Sequence, residues 1–150
     1  MGIEGGYAIE NSLYALRNFY RLGIRYMTLT HNVTHDWADA HAPSQHKHNG
    51  LTHFGKEVVR EMNRLGMLVD ISHVSDKVMH DVLDISTAPL IASHSGARGV
   101  NSHTRNVPDD VLKRLPQNGG VIMVVFYPSF LDERTNREDN ERAARLKPQL

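Results

Sequence analysis

Residues 67–94 read MLVDISHVSDKVMHDVLDISTAPLIASH, and this stretch decides the fold class. It opens with the short apolar run MLVDIS, which is typical of a strand, and closes with a second such run, PLIAS at 89–93. Between them, residues 75–85 carry apolar side chains at helical spacing, and Ser75 and Asp76 suit a helix N-cap and first turn. A strand, a helix and a strand in one short step predict a crossover between neighbouring parallel strands.

The same alternation continues outward along the chain. Strands are predicted near residues 1–5, 24–30, 67–72, 89–94 and 120–127. Helices are predicted over Ala8–Leu22, Thr52–Leu65, Ser75–Ile85 and Pro108–Leu115. Repeated strand–helix alternation predicts an α/β fold with a parallel sheet. The run GVIMVVFY at 120–127 is apolar on both faces, which is typical of a strand that helices cover on both sides.

Two segments fall outside this alternation. Residues 32–50 form a long connection, and long connections often serve as lids or binding loops. The tail, residues 132–150, is highly charged and is interpreted either as a solvated helix or as a frayed chain end. Neither segment changes the predicted sheet.

Length and composition exclude several classes of protein. The chain has 150 residues, which fits a single domain over 1–150, and its 17 basic and 17 acidic side chains give no net charge. A nucleic-acid binder usually carries a basic excess, so this class is not expected, and neither is a polybasic membrane anchor. There are no cysteines, no apolar run of the roughly 20 residues that cross a membrane, and no signal-peptide pattern. The cytoplasm is therefore the default expectation for location.

Histidines follow three of the predicted strands at the point where each strand ends. The strands end in Thr-Leu-Thr-His31, Asp-Ile-Ser-His73 and Ala-Ser-His94, and Glu4 lies in a glycine-rich turn before the first helix. Because the carboxyl ends of parallel strands meet at one face, these four side chains are expected to converge there. Two imidazoles and a carboxylate make a known catalytic zinc set with an open position for water. Taken singly, a histidine after a strand is more often an ordinary loop residue.

The other histidines carry no supporting pattern. His46 and His48 are interpreted as solvated loop residues, and five more as surface residues: His35, His41, His53, His80 and His103. Asp70, in the strand before His73, leaves two interpretations open. It is either a hydrogen-bond acceptor for a liganding histidine or a buried acid that other donors satisfy.

Several stretches of the sequence resemble one known family. They are GIEGG at 2–6, RYMTLTHN at 25–32 followed by WAD at 37–39, NRLGMLVDISHVS at 63–75, SHS at 93–95 and RNVPDD at 105–110. In this order and at these gaps, they resemble the membrane (renal) dipeptidases, the zinc-dependent dipeptidases of peptidase family M19. The resemblance implies that the chain is part of a (β/α)₈ TIM barrel with two zinc ions at its carboxyl-terminal rim.

The resemblance also implies a role for each matching residue. Glu4 resembles the catalytic carboxylate that bridges the two metals, and His73 and His94 resemble the histidines that complete the shell of one zinc. His31 matches a catalytic and substrate-binding histidine that lies near the scissile carbonyl and helps stabilise its tetrahedral form. Arg105 matches the arginine that binds the carboxylate of the dipeptide substrate.

Two parts of the family pattern have no match in the sequence. An N-terminal His-x-Asp, which supplies ligands to the second zinc, would precede Glu4, and nothing after Tyr127 matches the family's Gly-Gly-Asp-Phe motif. Because a complete barrel needs about 250 residues, the chain is expected to hold four or five βα units from the centre of a dipeptidase. The open sheet edges of such a piece favour a homo-oligomer or association with the missing barrel segments.

One main functional hypothesis and two alternatives follow. The main hypothesis is hydrolysis of dipeptides by a zinc-activated water in the complete enzyme, with one zinc fully liganded by this chain. The first alternative is a non-catalytic fragment or assembly module that binds a single zinc. The second is a related metal-dependent amidohydrolase that acts on acyl amino acids or lactones. Arg105 favours a substrate with a free carboxylate but does not separate a dipeptide from an acyl amino acid.

Overall fold

A five-stranded parallel sheet organises the chain in the computed structural model, which describes residues 1–146. In sheet order the strands are β1 (Gly2–Glu4), β2 (Tyr26–Thr28), β3 (Leu68–Asp70), β4 (Ile91–Ser95) and β5 (Val121–Val124). Each strand pairs in parallel with the next one along the chain. Parallel pairing in sequence order needs a crossover between every two strands, and this arrangement confirms the α/β prediction.

Helices supply the crossovers and follow the last strand. They are α1 (Leu13–Arg21), α2 (His53–Leu65), α3 (Asp76–Ile85), α4 (Asp109–Asn118), α5 (Pro128–Leu131) and α6 (Glu133–Leu146). Two short 3-10 turns, Gly6–Ile9 and Pro43–Gln45, lie in the connections. Three of the four predicted helices form near their predicted positions, and α4 continues past its predicted end until Gly119 terminates it with a positive φ of 77°.

The first helix begins later than its sequence pattern predicts. Glu10 and Asn11 adopt left-handed backbone conformations, with φ of 47° and 57°, and a helix cannot pass through them. Ser12 then starts α1, because its hydroxyl accepts a hydrogen bond from the backbone N–H of Ala15 at 3.3 Å. The predicted helix from Ala8 is therefore a 3-10 turn, a two-residue break and α1.

Apolar side chains of the sheet and the helices form one hydrophobic core. Met27 and Val69 from the strands pack with Val58 and Val78 from α2 and α3, and all four are fully buried. The long connection adds Trp37, which is 1% exposed. Burying an apolar side chain of this size stabilises a fold by about 1.5–3 kcal/mol, so this core holds the helices against the sheet.

The strand at the far edge of the sheet is more exposed than expected. Val121, Met123 and Val124 of β5 are 54%, 45% and 55% exposed. Among residues 1–146, β5 pairs with β4 alone, and helices do not cover both of its faces. The expectation of a strand buried on both sides is wrong for this part of the chain, because an apolar pattern does not say which element covers it.

The charged tail forms a solvated helix. All side chains of α6 are exposed except Asn136 and the half-buried Thr135, which confirms the first of the two interpretations for residues 133–146. The rest of that prediction, at 147–150, lies outside the described residues. No described helix combines the length and apolar character needed to cross a membrane.

Candidate metal centre

The carboxyl ends of four neighbouring strands bring the predicted residues to one rim of the sheet. Glu4 is the last residue of β1, His31 and His73 each lie three residues beyond β2 and β3, and His94 lies within β4. Register aligns Glu4 with Thr28 of β2. Because the strands are parallel, these ends lie at the same edge, so the expected convergence follows directly from the topology.

Three of these residues form a tight triangle of donor atoms. Glu4 Oε1 lies 3.0 Å from His73 Nε2 and 2.9 Å from His94 Nε2. The two imidazole nitrogens lie 2.9 Å apart. Donors that bind one zinc ion tetrahedrally at about 2.0–2.2 Å lie about 3.3–3.6 Å from each other, a few tenths of an ångström more than these separations. The chemistry and spacing of this donor set therefore fit a single zinc ion.

His31 forms a second, looser group with two of the same residues. Ligand atoms of Glu4, His31 and His73 all lie within 4.8 Å of one another. His31 Nε2 is 3.9 Å from Glu4 Oε2, the carboxylate oxygen that is not part of the tight triangle. The His31 side chain is 40% exposed, so it can still meet a ligand at the rim.

His73 is held in an unusual backbone conformation. Its φ is 65°, in the left-handed region that non-glycine residues seldom adopt, and the residue is 5% exposed. Its carbonyl accepts two hydrogen bonds, from the hydroxyl of Thr30 at 2.9 Å and from the backbone N–H of His41 at 2.7 Å. Backbone strain persists where the surroundings over-determine it, and these bonds hold the backbone of His73 in this conformation.

The outer ring nitrogens of both histidines have polar partners. His73 Nδ1 lies 3.1 Å from Asn32 Oδ1, and His94 Nδ1 lies 2.7 Å from Ser93 Oγ. When Nε2 binds a metal, Nδ1 carries the proton and donates it to these acceptors, which fixes the ring orientation. The sequence analysis does not predict these roles for Asn32 and Ser93. The available signal was that each is a polar residue adjacent in sequence to a predicted site histidine.

Asp70 connects this arrangement to the sheet. It is fully buried, and it accepts hydrogen bonds from Ser93 Oγ at 2.5 Å and Thr28 Oγ1 at 2.6 Å. The backbone N–H groups of Ser72 and Ser93 add two more at 3.0 Å. Both sequence interpretations of Asp70 therefore apply in part. It is a buried, satisfied acid, and it reaches His94 through the Ser93 hydroxyl rather than directly.

Burial keeps the imidazole of His73 neutral. It lowers the pKa of His73 to about 2, with a further contribution from the positive charge of Arg105. Burial also lowers the pKa of His41 to about 4, again with help from Arg105. A neutral imidazole is the form that binds a metal, so His73 needs no deprotonation at neutral pH.

Arg105 places a buried positive charge beside the triangle. The residue is 6% exposed, its Nη2 donates to the His94 carbonyl at 3.0 Å, and its guanidinium carbon lies 5.2 Å from the Phe130 ring centroid. Burial lowers its pKa to about 10, so it stays cationic at neutral pH. A cavity of about 330 Å³ lies between Arg105, the two triangle histidines and an apolar wall formed by Val125, Tyr127 and Phe130. The geometry suits an anionic group close to the metal position.

Several histidines predicted to lie at the surface are partly buried instead. His35 Nε2 bonds the Leu29 carbonyl at 2.8 Å, His41 Nδ1 bonds Thr104 Oγ1 at 2.9 Å, and the His103 ring stacks against Phe130. Burial lowers the pKa of all three. The surface prediction is wrong for them because loops fold over the rim. It agrees better with His53, whose side chain is 86% exposed.

Comparison with known proteins identifies the family. The family model for membrane dipeptidase (peptidase family M19) matches residues 1–147. The chain belongs to this family. An uncharacterized dipeptidase of Schizosaccharomyces pombe is 53% identical over 131 residues, which cover 87% of this chain and 32% of the relative.

Two solved structures resemble this M19 chain in fold. The probable dipeptidase PvdM from Pseudomonas aeruginosa superposes with a TM-score of 0.82 at 31% identity, over 87% of this chain and 34% of PvdM. A metallo peptidase from Rhodobacter sphaeroides, solved with a phosphinate mimic of the dipeptide L-Ala-D-Ala, gives a TM-score of 0.76 at 35% identity. That match covers 89% of this chain and 39% of the other. The chain thus spans about a third of the relatives it matches, which confirms the prediction of a partial barrel fold.

Proposed function

We propose that this M19 chain carries a zinc site and the substrate-carboxylate site of a metallo-dipeptidase. The observation that carries this proposal is the triangle of Glu4, His73 and His94 donors, 2.9–3.0 Å apart, with the buried cation of Arg105 beside it. The M19 family consists of metal-dependent hydrolases, and the similar proteins named above include a dipeptidase. The activity and substrate of the whole protein are inferred from these two supports.

Glu4, His73 and His94 would hold one zinc ion. Bound zinc would supply a water of lowered pKa and polarise the scissile carbonyl. Glu4 meets the two histidines through Oε1, and the family resemblance implies that its carboxylate would also help to hold a second ion. The resemblance assigns the remaining ligands of that second ion to a segment before Glu4. We therefore propose a binuclear centre in the complete enzyme.

Arg105 would bind the free carboxylate of the substrate. Its guanidinium is cationic, buried and adjacent to His94, and such a group recognises a carboxylate through paired N–H donors. A carboxylate at this point places the preceding peptide bond near the metal position. This arrangement would select the peptide bond next to a free C-terminus, which is the bond that a dipeptide offers.

His31 would stabilise the carbonyl oxygen as negative charge develops on it. The ring is half-exposed at the rim, and its Nε2 is 3.9 Å from the Glu4 carboxylate. An imidazole N–H at this position donates to the oxygen of the tetrahedral form and strengthens its contact as charge accumulates. Its role is to orient and stabilise the substrate rather than to hold the first zinc.

Ligand binding to the zinc-loaded chain tests this proposal. Glycylglycine and its C-terminal amide differ in the one group that Arg105 would recognise, and N-acetylglycine tests the requirement for a free amine. We expect glycylglycine to bind at least about tenfold more tightly than its amide, and Arg105→Ala to remove this preference. Equal affinity for glycylglycine and its amide, or no binding of either, would overturn the proposal. Comparable binding of N-acetylglycine would instead favour an amidohydrolase of acyl amino acids.

Two further expectations from the sequence belong to this proposal. The cytoplasmic location and a homo-oligomeric assembly stay predictions. Sedimentation of the purified chain would test the assembly, and imaging of the tagged protein would test the location.

A further inference from the structure

The backbone on both sides of Arg105 is held by a second arginine. Arg98 Nη2 donates to the carbonyl of Thr104 at 3.1 Å and to the carbonyl of Asn106 at 2.6 Å. These are the residues immediately before and after Arg105. One guanidinium therefore fixes the peptide segment from which the Arg105 side chain projects.

The same guanidinium also contacts a carboxylate. Arg98 Nη2 also lies 2.8 Å from Asp76 Oδ1, so its two N–H groups serve three acceptors and one of them is shared, while Nη1 makes a close contact with Asp76 Oδ2. Asp76 is the first residue of α3, and Ser75, fully buried before it, caps that helix. Asp76 also follows His73 by three residues. The Arg98 guanidinium thus connects the loop that contains Arg105 with the turn that contains His73.

Arg105 depends on its backbone for its position. The residues described give its guanidinium one protein hydrogen bond, to the His94 carbonyl, and leave its buried Nε without a partner. Arg98 does not line the cavity beside Arg105 and lies instead in a neighbouring one with His41 and Asp76. It is placed to act on Arg105 through the backbone rather than on a ligand in that cavity.

We propose that Arg98, anchored by Asp76, is a positioning residue that holds Arg105 in place for carboxylate binding. The carboxylate part of this statement rests on the proposed function. The geometry requires the fork of an arginine, because two carbonyls and both oxygens of a carboxylate are engaged at once. A lysine keeps the charge at this position but cannot hold all four acceptors.

The first test measures the position of Arg105 without any substrate. Hydrogen exchange at the Arg105 Nε–H is followed by ¹⁵N NMR in the zinc-loaded chain, with Arg105→Lys identifying the signal. We expect Arg98→Lys to speed this exchange by about tenfold or more, because the segment opens more often. Arg114→Lys is the matched control, since it alters an arginine–aspartate pair between α3 and α4, with Asp84. Exchange in Arg98→Lys equal to that in the control would overturn the inference.

The second test separates positioning from general structural support. We expect Arg98→Lys to weaken glycylglycine binding about tenfold, with binding of the C-terminal amide and of zinc unchanged. Equal weakening for glycylglycine and its amide would contradict a role specific to Arg105. Asp76→Asn provides a second variant, expected to shift both readouts in the same direction by a smaller factor.

The two proposals fail in distinguishable ways. If the wild-type chain does not prefer glycylglycine to its amide, the proposed function fails, and the exchange measurement still decides whether Arg98 positions Arg105. If the wild type shows the preference and Arg98→Lys keeps it with normal exchange, only the positioning role fails.

Discussion

At the scale of single residues, the centre depends on which way each imidazole is turned. His73 and His94 direct Nε2 to Glu4 and direct Nδ1 to Asn32 and Ser93. The Ser93 hydroxyl accepts a hydrogen bond from His94 Nδ1 and donates one to buried Asp70. This serine therefore links the imidazole to the carboxylate. The ring orientation is thus set by neighbours that never touch the metal position.

Replacing Ser93 tests this arrangement. In Ser93→Ala, His94 Nδ1 loses its acceptor and Asp70 loses a donor, so we expect zinc affinity to fall by about 10–100-fold. The measurement is zinc competition with a chromophoric chelator. Ser102→Ala is the control, because this exposed serine contacts Glu133 and lies away from the triangle. Zinc affinity equal to that of the control would show that Ser93 does not orient His94.

Among the elements, the long connection from 32 to 50 is a loop whose backbone is held by hydrogen bonds to a buried side chain. Asp39 is fully buried, and its carboxylate accepts from the backbone N–H groups of Lys47, His48 and Gly50. Burial opposes the charged form, but these backbone donors prevail and lower the pKa of Asp39. The loop carries His41 to the carbonyl of His73, so its fold supports the rim.

Asp39→Asn should destabilise the chain while keeping its shape. An amide replaces a charged acceptor of three N–H groups, and we expect a loss of about 1–3 kcal/mol in the free energy of unfolding. Urea unfolding at pH 7 measures it. Asp36→Asn, on the exposed part of the same connection, is the control. If the Asp39→Asn variant is as stable as this control, the role given to Asp39 is contradicted.

The contact between α1 and α2 predicts a pH dependence. Hydrogen bonds from Arg64 and then Arg17 lower the pKa of Glu61 to about 2, although burial opposes this. A folded-state pKa below the unfolded value means that stability is fully present above about pH 4.5 and is lost as the pH falls toward 2. We therefore expect Glu61→Gln to be less stable than the wild type at pH 7, with the difference shrinking across this window.

Urea unfolding between pH 7 and pH 3 measures this effect. Glu57→Gln on the same helix is the control, since its side chain is 45% exposed and pairs only with exposed His53 among the described residues. A difference between Glu61→Gln and wild type that stays constant with pH would contradict the assignment.

At the scale of the whole molecule, the sequence predicts the topology and the rim better than the contacts around them. Glu4, His31, His73 and His94 could be placed together because parallel strands end at one edge. Asn32, Ser93 and Arg98 could not, because their roles depend on side-chain directions across separate loops and strands. Nor does the sequence predict the exposure of β5, since its apolar pattern does not reveal which elements cover it.

That exposure leads to a prediction about association. Val121, Met123 and Val124 expose apolar surface along β5, and Phe126, two residues beyond this strand, is 90% exposed. Surfaces of this kind promote pairing between chains. We expect the purified chain to self-associate as its concentration rises, and Met123→Lys to weaken this association about tenfold. Sedimentation velocity measures it, with Leu22→Lys, an exposed leucine beside α1, as the control. Equal association in both variants would contradict the assignment to β5.

The proposed function depends on Glu4, His73 and His94 together holding one zinc ion. Its most direct test is the zinc stoichiometry and affinity of the metal-stripped chain, compared with His73→Ala and His94→Ala and with His53→Ala as the exposed control. Circular dichroism confirms that each variant is folded. We expect about one tightly bound zinc ion per chain in the wild type and in His53→Ala, and loss of tight binding in the other two variants. Tight zinc binding that survives in folded His73→Ala and His94→Ala would contradict it.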